Sequence, residues 1–187
     1  MITQRKLILY IAMSLDGYIA KPGDDLSFLA KVEKEGEDYG YAQFISSVDT
    51  VIMGRKTYNW VMNMVPEFPH ADKKVYIITR NAKPSIGQTE FYSGALTSLV
   101  QQLKAQPGKH IFCDGGAQVA NELLIHGLLD ELIISVIPVL LGEGIRLFND
   151  GRPEQNVQLK EVKTFDTGLV QLHYACLKPG VDGIKNE

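Results

Sequence analysis

The chain has 187 residues, of which 45% are hydrophobic and 22% charged, and it holds 17 glycines, 8 prolines and only 2 cysteines. This ordinary globular composition excludes a disordered, collagen-like or disulfide-scaffold protein. The formal net charge is -3 and no basic run is long enough to follow a phosphate backbone, so we expect no nucleic-acid partner.

Strands and helices alternate from residue 7 to residue 139. Apolar runs rich in β-branched and aliphatic residues, most of them without polar alternation, predict strands that are buried on both faces. These runs are residues 7–13, 50–53, 74–79, 110–113 and 131–139. The segments with helical periodicity are residues 26–32, 41–48, 57–64, 96–103 and 119–124. This alternation predicts an α/β fold with a mostly parallel central sheet covered by helices on both faces.

The pattern changes near the C-terminus. Residues 157–163 alternate between apolar and polar side chains, and residues 170–176 do so again beyond a turn at 166–168. Two alternating segments joined by a turn predict an antiparallel hairpin. We assign residues 1–178 to one domain and the polar, aperiodic residues 179–187 to a flexible tail.

The sequence also leads to expectations about the protein's cellular compartment, its cysteines, metal binding and oligomeric state. No apolar stretch approaches the roughly 20 residues of a membrane helix, and the first residues lack the pattern of a secretion signal, so we expect a cytoplasmic protein. Cys113 and Cys176 lie in separate strand-like runs, which predicts two reduced thiols. The histidines show no ligand spacing, and we predict no metal site. The apolar run at residues 132–141 and the edge left by the hairpin lead us to expect a homodimer.

The first candidate binding motif follows the strand at residues 50–53. Gly54 leads from this strand into a predicted helix whose first turn holds Arg55, Lys56 and Thr57. Free backbone N–H groups and the positive end of the helix dipole favour an anion here. Cations at a helix N-terminus are electrostatically misplaced unless an anion is nearby, which favours a phosphate site. The alternative interpretation is a glycine turn followed by a solvated helix start.

Two further motifs end other predicted strands. Gly115, Gly116 and Ala117 follow one strand, and paired glycines let a backbone come close to a bulky ligand. Thr79 and Arg80 end another, where a guanidinium would clamp a phosphate with two hydrogen bonds. The alternatives are a turn that serves only tight packing and an ordinary surface arginine. Open α/β sheets bind ligands at the carboxyl ends of their strands, so the three motifs together predict a ligand with more than one phosphate.

Several motifs together resemble the dihydrofolate reductase superfamily. In chain order they are residues 11–20 (IAMSLDGYIA), 52–58 (IMGRKTY), 79–80 (TR), 115–116 (GG), 127–132 (GLLDEL) and 138–144 (PVLLGEG). The likeness runs from about Lys6 to Lys178 in the order that the superfamily uses. It is greatest for the branch that contains the reductase domain of the riboflavin-biosynthesis deaminase-reductase. The resemblance implies the three-layer fold of this superfamily.

The resemblance also implies a bound NADPH. The backbone at Ala12 and Ile19 would hold the nicotinamide carboxamide. The pyrophosphate would be surrounded by the residues of the two glycine motifs, namely Gly54, Arg55, Lys56, Thr57, Gly115, Gly116 and Ala117. Thr79 with Arg80 would take the 2′-phosphate, and a cation there is the physical reason to expect NADPH rather than NADH.

Reduction by hydride also needs a proton, so the substrate side should hold a carboxyl group or an ordered water. The resemblance places Asp25 where the superfamily keeps its substrate-binding acid, and we predict Asp25 as the catalytic residue on this side. The alternative is that Asp25 only caps a helix. Ser14, Phe28, Gly142 and Gly144 are the other predicted substrate contacts.

We therefore predict an NADPH-dependent reductase of a small heterocycle that is pteridine-, pyrimidine- or ribosylaminopyrimidine-like. This activity would resemble that of 5-amino-6-(5-phosphoribosylamino)uracil reductase or dihydrofolate reductase. The stretch between Ile19 and Asp25 is several residues shorter than the active-site loop of true dihydrofolate reductases, which argues against a folate enzyme. The alternative is a nucleotide-binding sensor or accessory protein that keeps the same cleft without turnover.

Overall fold

The computed structural model describes residues 5–178, and the tail expected at 179–187 lies outside them. The strands in chain order are β1 (Leu7–Ser14), β2 (Tyr18–Ala20), β3 (Val48–Gly54), β4 (Lys74–Ile78), β5 (Lys83–Ile86), β6 (Thr89–Tyr92), β7 (His110–Cys113), β8 (Glu131–Ile137), β9 (Ile145–Arg146), β10 (Val157–Thr164) and β11 (Val170–Cys176). The helices are a 3₁₀ helix (Ser27–Val32), α1 (Tyr41–Ser46), α2 (Arg55–Met64), α3 (Leu96–Ala105) and α4 (Ala117–Ile125).

A mixed sheet organises the described part of the chain. Nine of its strands pair in the order β10-β11-β8-β1-β7-β3-β4-β6-β5. The six central strands, from β8 to β6, run parallel, and antiparallel strands add to both edges. The predicted C-terminal hairpin is β10–β11, and it joins the sheet through β11. The predicted α/β fold with its mostly parallel sheet is therefore confirmed.

Both faces of the central strands are buried, as their apolar runs predict. In β1, Leu7 and Leu9 belong to the core that packs against α3 and α4. Ile8 lies between them and belongs to the core on the opposite face, together with Phe44 of α1. The alternation of side chains along each strand thus supplies two cores from one uninterrupted apolar run.

The predicted elements all lie where periodicity placed them, with one change of type. The segment predicted as a helix at residues 26–32 is a 3₁₀ helix. The short strands β2, β5, β6 and β9 were not predicted. The side chains of β5 are all exposed and include a proline, so this edge strand carries no apolar pattern. Cys113 and Cys176 are free thiols, as predicted. None of the helices between residues 5 and 178 has the length and apolarity to cross a membrane.

Glu131, the first residue of β8, is a buried carboxylate shared by three cationic or titratable side chains. Its side chain is 7% exposed. Lys6 Nζ and Lys160 Nζ donate hydrogen bonds of 2.6 and 2.7 Å to its Oε1, and His173 Nε2 lies 2.8 Å from its Oε2. Burial alone would raise the pKa of Glu131, but these hydrogen bonds lower it to about 2. The carboxylate therefore ties the start of β8 to the chain before β1 and to the hairpin.

Glu131→Gln is expected to lower the free energy of unfolding at pH 7 by about 2 kcal/mol, a value reduced because both lysines are partly exposed. A carboxylate whose pKa is lowered on folding stabilises the fold above its ordinary pKa of 4.5 and loses this contribution as the pH falls toward about 2. The stability gap between wild type and variant should therefore narrow below pH 4.5. Urea unfolding of wild type and variant at several pH values measures this stability gap. The exposed Glu122→Gln is the control, and a gap that is constant with pH would contradict the assignment.

Candidate active site

The three predicted anion motifs lie side by side at the carboxyl edge of the sheet. Their strands β7, β3 and β4 are parallel neighbours. Gly54 at the end of β3 is the register partner of Ile78, which directly precedes Thr79. The Gly54 N–H donates a 3.1 Å hydrogen bond to the Gly115 carbonyl oxygen. The topology thus brings together motifs that are far apart in the sequence.

Gly115 and Gly116 form a cradle without side chains at the start of α4. Their φ angles are +94° and +76°, which lie in the region that glycine tolerates best. A Cβ added to Gly116 would lie 3.0 Å from Thr57 Oγ1 and 3.8 Å from Gly54 Cα. Within residues 5–178, no side chain caps the start of α2 or of α4. Free amides at two adjacent helix starts fit a phosphate-bearing group.

The cations of these motifs are placed differently from one another. The Arg55 guanidinium lies 5.0 Å from the centroid of the Phe91 ring, and its Nε donates a 2.8 Å hydrogen bond to Asn59 Oδ1. Arg55 is therefore held along α2, which offsets the electrostatic penalty of its position. Lys56 and Arg80 are exposed. These two exposed cations and the glycine pair border the carboxyl ends of β3, β4 and β7, and we call this region the anion groove.

The backbone of β1 has an open edge next to the anion groove. Pairing of β1 with β7 ends at Leu9 and Cys113, whereas pairing with β8 continues as far as Ser14. Beyond Leu9, the β1 backbone that includes Ala12 therefore borders a gap on the β7 side. Ile19 of β2 packs against the core nearby. A planar amide-bearing ring could find backbone hydrogen-bond partners along this edge.

A cavity of about 580 Å³ opens on the α1 face of the same sheet edge. It lies between the 3₁₀ helix, the loop that follows it, and strands β1 and β8. The residues that line it are Tyr10, Ala12, Leu29, Val32, Glu33, Lys34, Glu35, Glu37, Asp38, Tyr39, Tyr41, Ser135, Ile137 and Leu169. Ala12 thus belongs both to this cavity and to the open edge of β1, so the cavity and the gap are neighbours.

A neutral polar cluster forms the floor of the cavity. Gln171 Nε2 lies 3.1 Å from the Tyr10 hydroxyl oxygen, 3.1 Å from Ser135 Oγ and 3.1 Å from the Tyr39 carbonyl oxygen. Burial raises the pKa of Tyr10. Burial, helped by the negative charge of Asp114, also raises the pKa of Tyr41 to about 12. Both phenols therefore stay protonated near neutral pH and present uncharged donors and acceptors.

Asp114, which directly precedes the glycine pair, forms a buried pair with a histidine. Its Oδ2 lies 2.9 Å from His70 Nε2. The His70 side chain is 4% exposed, and its Nδ1 has no hydrogen-bond partner among the described residues. The negative charge of Asp114 contributes to the raised pKa of Tyr41, a residue of the cavity wall. Sequence reasoning missed this acid, although its position at a strand end before two glycines was a usable signal.

Asp25, the predicted proton-side residue, lies just before the 3₁₀ helix and outside the cavity wall. Its Oδ1 accepts a 2.7 Å hydrogen bond from the Ser27 N–H, and its Oδ2 accepts one of 3.1 Å from the Ser27 hydroxyl. These hydrogen bonds lower the pKa of Asp25, so the group is ionised at neutral pH. Leu26, not Asp25, occupies the cap position of the 3₁₀ helix, and Asp25 accepts the hydrogen bond of the first helical N–H from one residue further back. The catalytic role of Asp25 stays a prediction.

Two other predicted substrate contacts are buried. The Ser14 side chain has no exposed surface, since its Oγ donates to Asp16 Oδ1 at 2.6 Å and accepts from the Tyr18 N–H at 2.9 Å. Phe28 is 1% exposed and packs beneath the 3₁₀ helix. The next residue, Leu29, lines the cavity in its place. The expected substrate contacts at Ser14 and Phe28 therefore do not fit this geometry, because both side chains point into the core.

The remaining two predicted contacts belong to the loop between β8 and β9. The Gly142 N–H donates a 2.7 Å hydrogen bond to Asp16 Oδ2, which holds the loop against the end of β1. A Cβ on Gly144 would lie 2.1 Å from the Ala20 carbonyl oxygen, so glycine is needed there for close packing. Neither residue lines the cavity. Their glycines are explained by loop packing, and a substrate contact at either remains a prediction.

A second cavity, of about 530 Å³, lies at the opposite, amino end of the strands. Its floor is the buried Arg5, whose Nε donates to the Lys109 carbonyl oxygen at 2.7 Å and whose Nη1 donates to that of Leu103 at 3.1 Å. The guanidinium also pairs with Asp49. Because these hydrogen bonds and the ion pair engage Arg5, we interpret this cavity as structural.

Comparison with known proteins identifies the family of this chain. The model of the RibD C-terminal domain family matches residues 5–171. The chain is 42% identical over 174 residues to the uncharacterized protein YwjB of Bacillus subtilis, covering 91% of this chain and 98% of that protein. It is 31% identical over 182 residues to the uncharacterized protein YyaP of the same organism, covering 91% of this chain and 95% of YyaP.

Solved structures share the fold. A putative riboflavin biosynthesis protein from Shewanella sp. PV-4 superposes with a TM-score of 0.82 at 27% identity, covering 92% of this chain and 99% of that one. A diaminohydroxyphosphoribosylaminopyrimidine deaminase/5-amino-6-(5-phosphoribosylamino)uracil reductase from Thermotoga maritima superposes with a TM-score of 0.69 at 13% identity. That similarity covers 93% of this chain and 57% of the Thermotoga protein.

Proposed function

Because the chain belongs to the RibD C-terminal domain family, we propose that it is an NADPH-dependent reductase that transfers hydride to a pteridine- or (ribosylamino)pyrimidine-like substrate. The resemblance to the dihydrofolate reductase superfamily, in the branch of the riboflavin-biosynthesis reductases, is confirmed by the family match and by the similar solved structures. The family is reductase-like. The proposal adds the cofactor, the reaction and the class of substrate.

The observation that carries the proposal is the junction at Ala12. On one side of this residue lies the anion groove with its glycine cradle and two uncapped helix starts. On the other side lies the cavity with a neutral polar floor. A hydride transfer needs a phosphate-bearing cofactor and a flat acceptor whose reacting rings meet, and the junction supports that arrangement.

The roles of the residues follow from their positions. NADPH supplies the hydride when it is bound. The amides at the starts of α2 and α4 offset phosphate charge, and Gly116 allows close approach of the backbone. The open edge of β1 at Ala12 orients a carboxamide by hydrogen bonds. Asp25 lies outside the cavity wall, so it would hold an N–H group only of a substrate that extends from the cavity to the start of the 3₁₀ helix, where its charge would favour the protonated form.

Arg80→Ala is expected to weaken NADPH binding about tenfold and to leave NADH binding unchanged. The reason is that a charge-assisted contact with a phosphate contributes about 1.5 kcal/mol or more, and only NADPH carries the 2′-phosphate. Fluorescence titration or calorimetry of both cofactors measures the effect.

Lys31→Ala is the matched control for this experiment, because it removes an exposed cation from the 3₁₀ helix. It should leave both affinities unchanged. If neither NADPH nor NADH binds to the wild-type protein, the reductase proposal fails. If NADPH binds but Arg80→Ala has no effect on its affinity, NADPH is retained as the proposed cofactor and the assignment of Arg80 to the 2′-phosphate fails.

We further propose that the protein is a cytoplasmic homodimer. The outer strand of the sheet, β10, exposes Val157, Leu159 and Val162. Apolar side chains on an edge strand favour pairing with another chain. This edge is the surface through which a second copy would pack.

A further inference from the structure

The charges around the cavity are almost all of one sign. Five charged residues line it, and they are Glu33, Lys34, Glu35, Glu37 and Asp38. Four of these are acidic. The single cation, Lys34, lies 3.3 Å from Asp166 Oδ2 and is therefore partly neutralised by a residue outside the cavity. No arginine belongs to the cavity wall that the described residues form.

The floor of the cavity adds no positive charge. Its polar groups are the Tyr10 hydroxyl, the Ser135 hydroxyl and, behind them, the Gln171 amide. Such groups can form hydrogen bonds with the neutral N–H and C=O edges of a heterocycle, and they bring no positive charge that would offset the charge of a phosphate. The apolar side chains of Leu29 and Ile137 supply surface for the faces of a ring.

Positive and negative surroundings are thus separated at the junction. The anion groove has two free helix starts with Lys56 and Arg80, while the loop on one side of the cavity carries four acidic residues. An anionic ligand is favoured in the groove and repelled from the cavity. The anion groove therefore favours an anionic ligand, and the cavity favours a ligand without negative charge.

We propose that the substrate of this protein is an uncharged or cationic heterocycle that carries no phosphate. This inference rests on the proposed function, since it concerns the cavity assigned to the substrate. It sets the chain apart from the Thermotoga maritima protein, whose name specifies a phosphoribosylamino substrate. The cavity selects the heterocycle by its neutral floor and rejects the phosphate by its acidic rim.

The test compares 6-hydroxymethylpterin with its phosphate ester, which differ only in the phosphate. Both are titrated by pterin fluorescence against protein saturated with NADP⁺, so that the phosphate ester cannot enter the anion groove and no hydride is transferred to the pterin during the titration. The neutral pterin should bind at least tenfold more tightly, a difference of about 1.4 kcal/mol. The preference should weaken in high salt, because exposed charges are screened.

The carboxylates are tested by a triple variant with glutamine at Glu33, Glu35 and Glu37. Asp38 is kept, because its carboxylate accepts hydrogen bonds from the Gly40 and Ala42 N–H groups at the start of α1. The triple variant should reduce the preference for the neutral pterin to less than threefold. The matched control changes the same net charge on exposed acids outside the cavity, namely Glu67→Gln, Glu122→Gln and Glu154→Gln. This control variant should keep the full preference for the neutral pterin over its phosphate ester.

The outcomes separate this inference from the proposed function. Equal or tighter binding of the phosphate ester overturns the inference, as does a failure of both pterins to bind. A preference that survives in the triple variant overturns the role of the carboxylates and with it the inference. Binding of NADPH to the same preparations reports on the reductase proposal independently, because the anion groove holds none of the altered residues.

Discussion

Asp25→Asn is expected to lower turnover by roughly 100-fold while NADPH affinity stays unchanged. The carboxylate is ionised at neutral pH because of its hydrogen bonds from Ser27. A negative charge at the mouth of the substrate side would favour the protonated form of a heterocycle that is about to accept hydride. Asparagine keeps the size and an acceptor oxygen for the Ser27 N–H but removes the charge, so the helix start is retained. Oxidation of NADPH in the presence of reducible pterins and aminouracils measures the effect.

Asp114→Asn is the informative comparison for this experiment. Asp114 is paired with the buried His70, and its charge contributes to the raised pKa of Tyr41 in the cavity wall, so it is the second carboxylate to test for a role on the substrate side. If Asp114→Asn abolishes turnover and Asp25→Asn does not, the proton-side role belongs to Asp114, and Asp25 serves only the start of the 3₁₀ helix. If the wild-type protein binds NADPH without turnover on any of these heterocycles, the nucleotide-binding alternative gains support.

The parts of the site that the sequence predicted are those carried by local pattern. A buried strand that ends in glycine and enters a helix predicts a close turn with free backbone N–H groups, so Gly54 and the pair Gly115–Gly116 could be identified as candidates without the fold, although the pattern alone left a turn that serves only packing as the alternative. Their contact also followed from parallel neighbouring strands. The observed hydrogen bond from Gly54 to Gly115 places these residues together.

The substrate cavity could not be predicted in the same way, because it is assembled from side chains on different strands. Tyr10, Ser135 and Gln171 meet only through the pairing of β1 with β8 and of β8 with β11. Tyr10 and Ser135 are single polar residues within apolar runs, and Gln171 is one of the alternating polar residues of β11. Nothing local distinguishes any of them from a satisfied core residue or an ordinary strand residue. Prediction of Phe28 instead of Leu29 has a related cause: in a short 3₁₀ helix, a shift of one residue exchanges the buried face for the cavity face.

Gly116→Ala is expected to weaken NADPH binding by roughly 100-fold, or about 2.7 kcal/mol. The new methyl group would lie 3.0 Å from Thr57 Oγ1 and 3.8 Å from Gly54 Cα, between the two glycine loops. It would therefore fill the space through which a pyrophosphate reaches the free amides of α4. The φ of +76° adds a cost in the folded state of about 1 kcal/mol for any residue with a side chain. Titration with NADPH gives the affinity, and urea unfolding gives the stability.

Gly127→Ala is the control that separates the loss of NADPH affinity from the loss of stability expected of Gly116→Ala. Gly127 follows the other end of α4 with a φ of +60°, and a Cβ there meets nothing within 4 Å. Both variants should lose stability because both place alanine at a positive φ, and Gly116→Ala should lose more, since its ψ of 121° lies outside the left-handed helical region and its Cβ meets Thr57 Oγ1. Only Gly116→Ala should lose cofactor affinity. Equal NADPH affinity in both variants would show that the glycine cradle does not hold the cofactor. The phosphates would then have to bind at Lys56 and Arg80 alone.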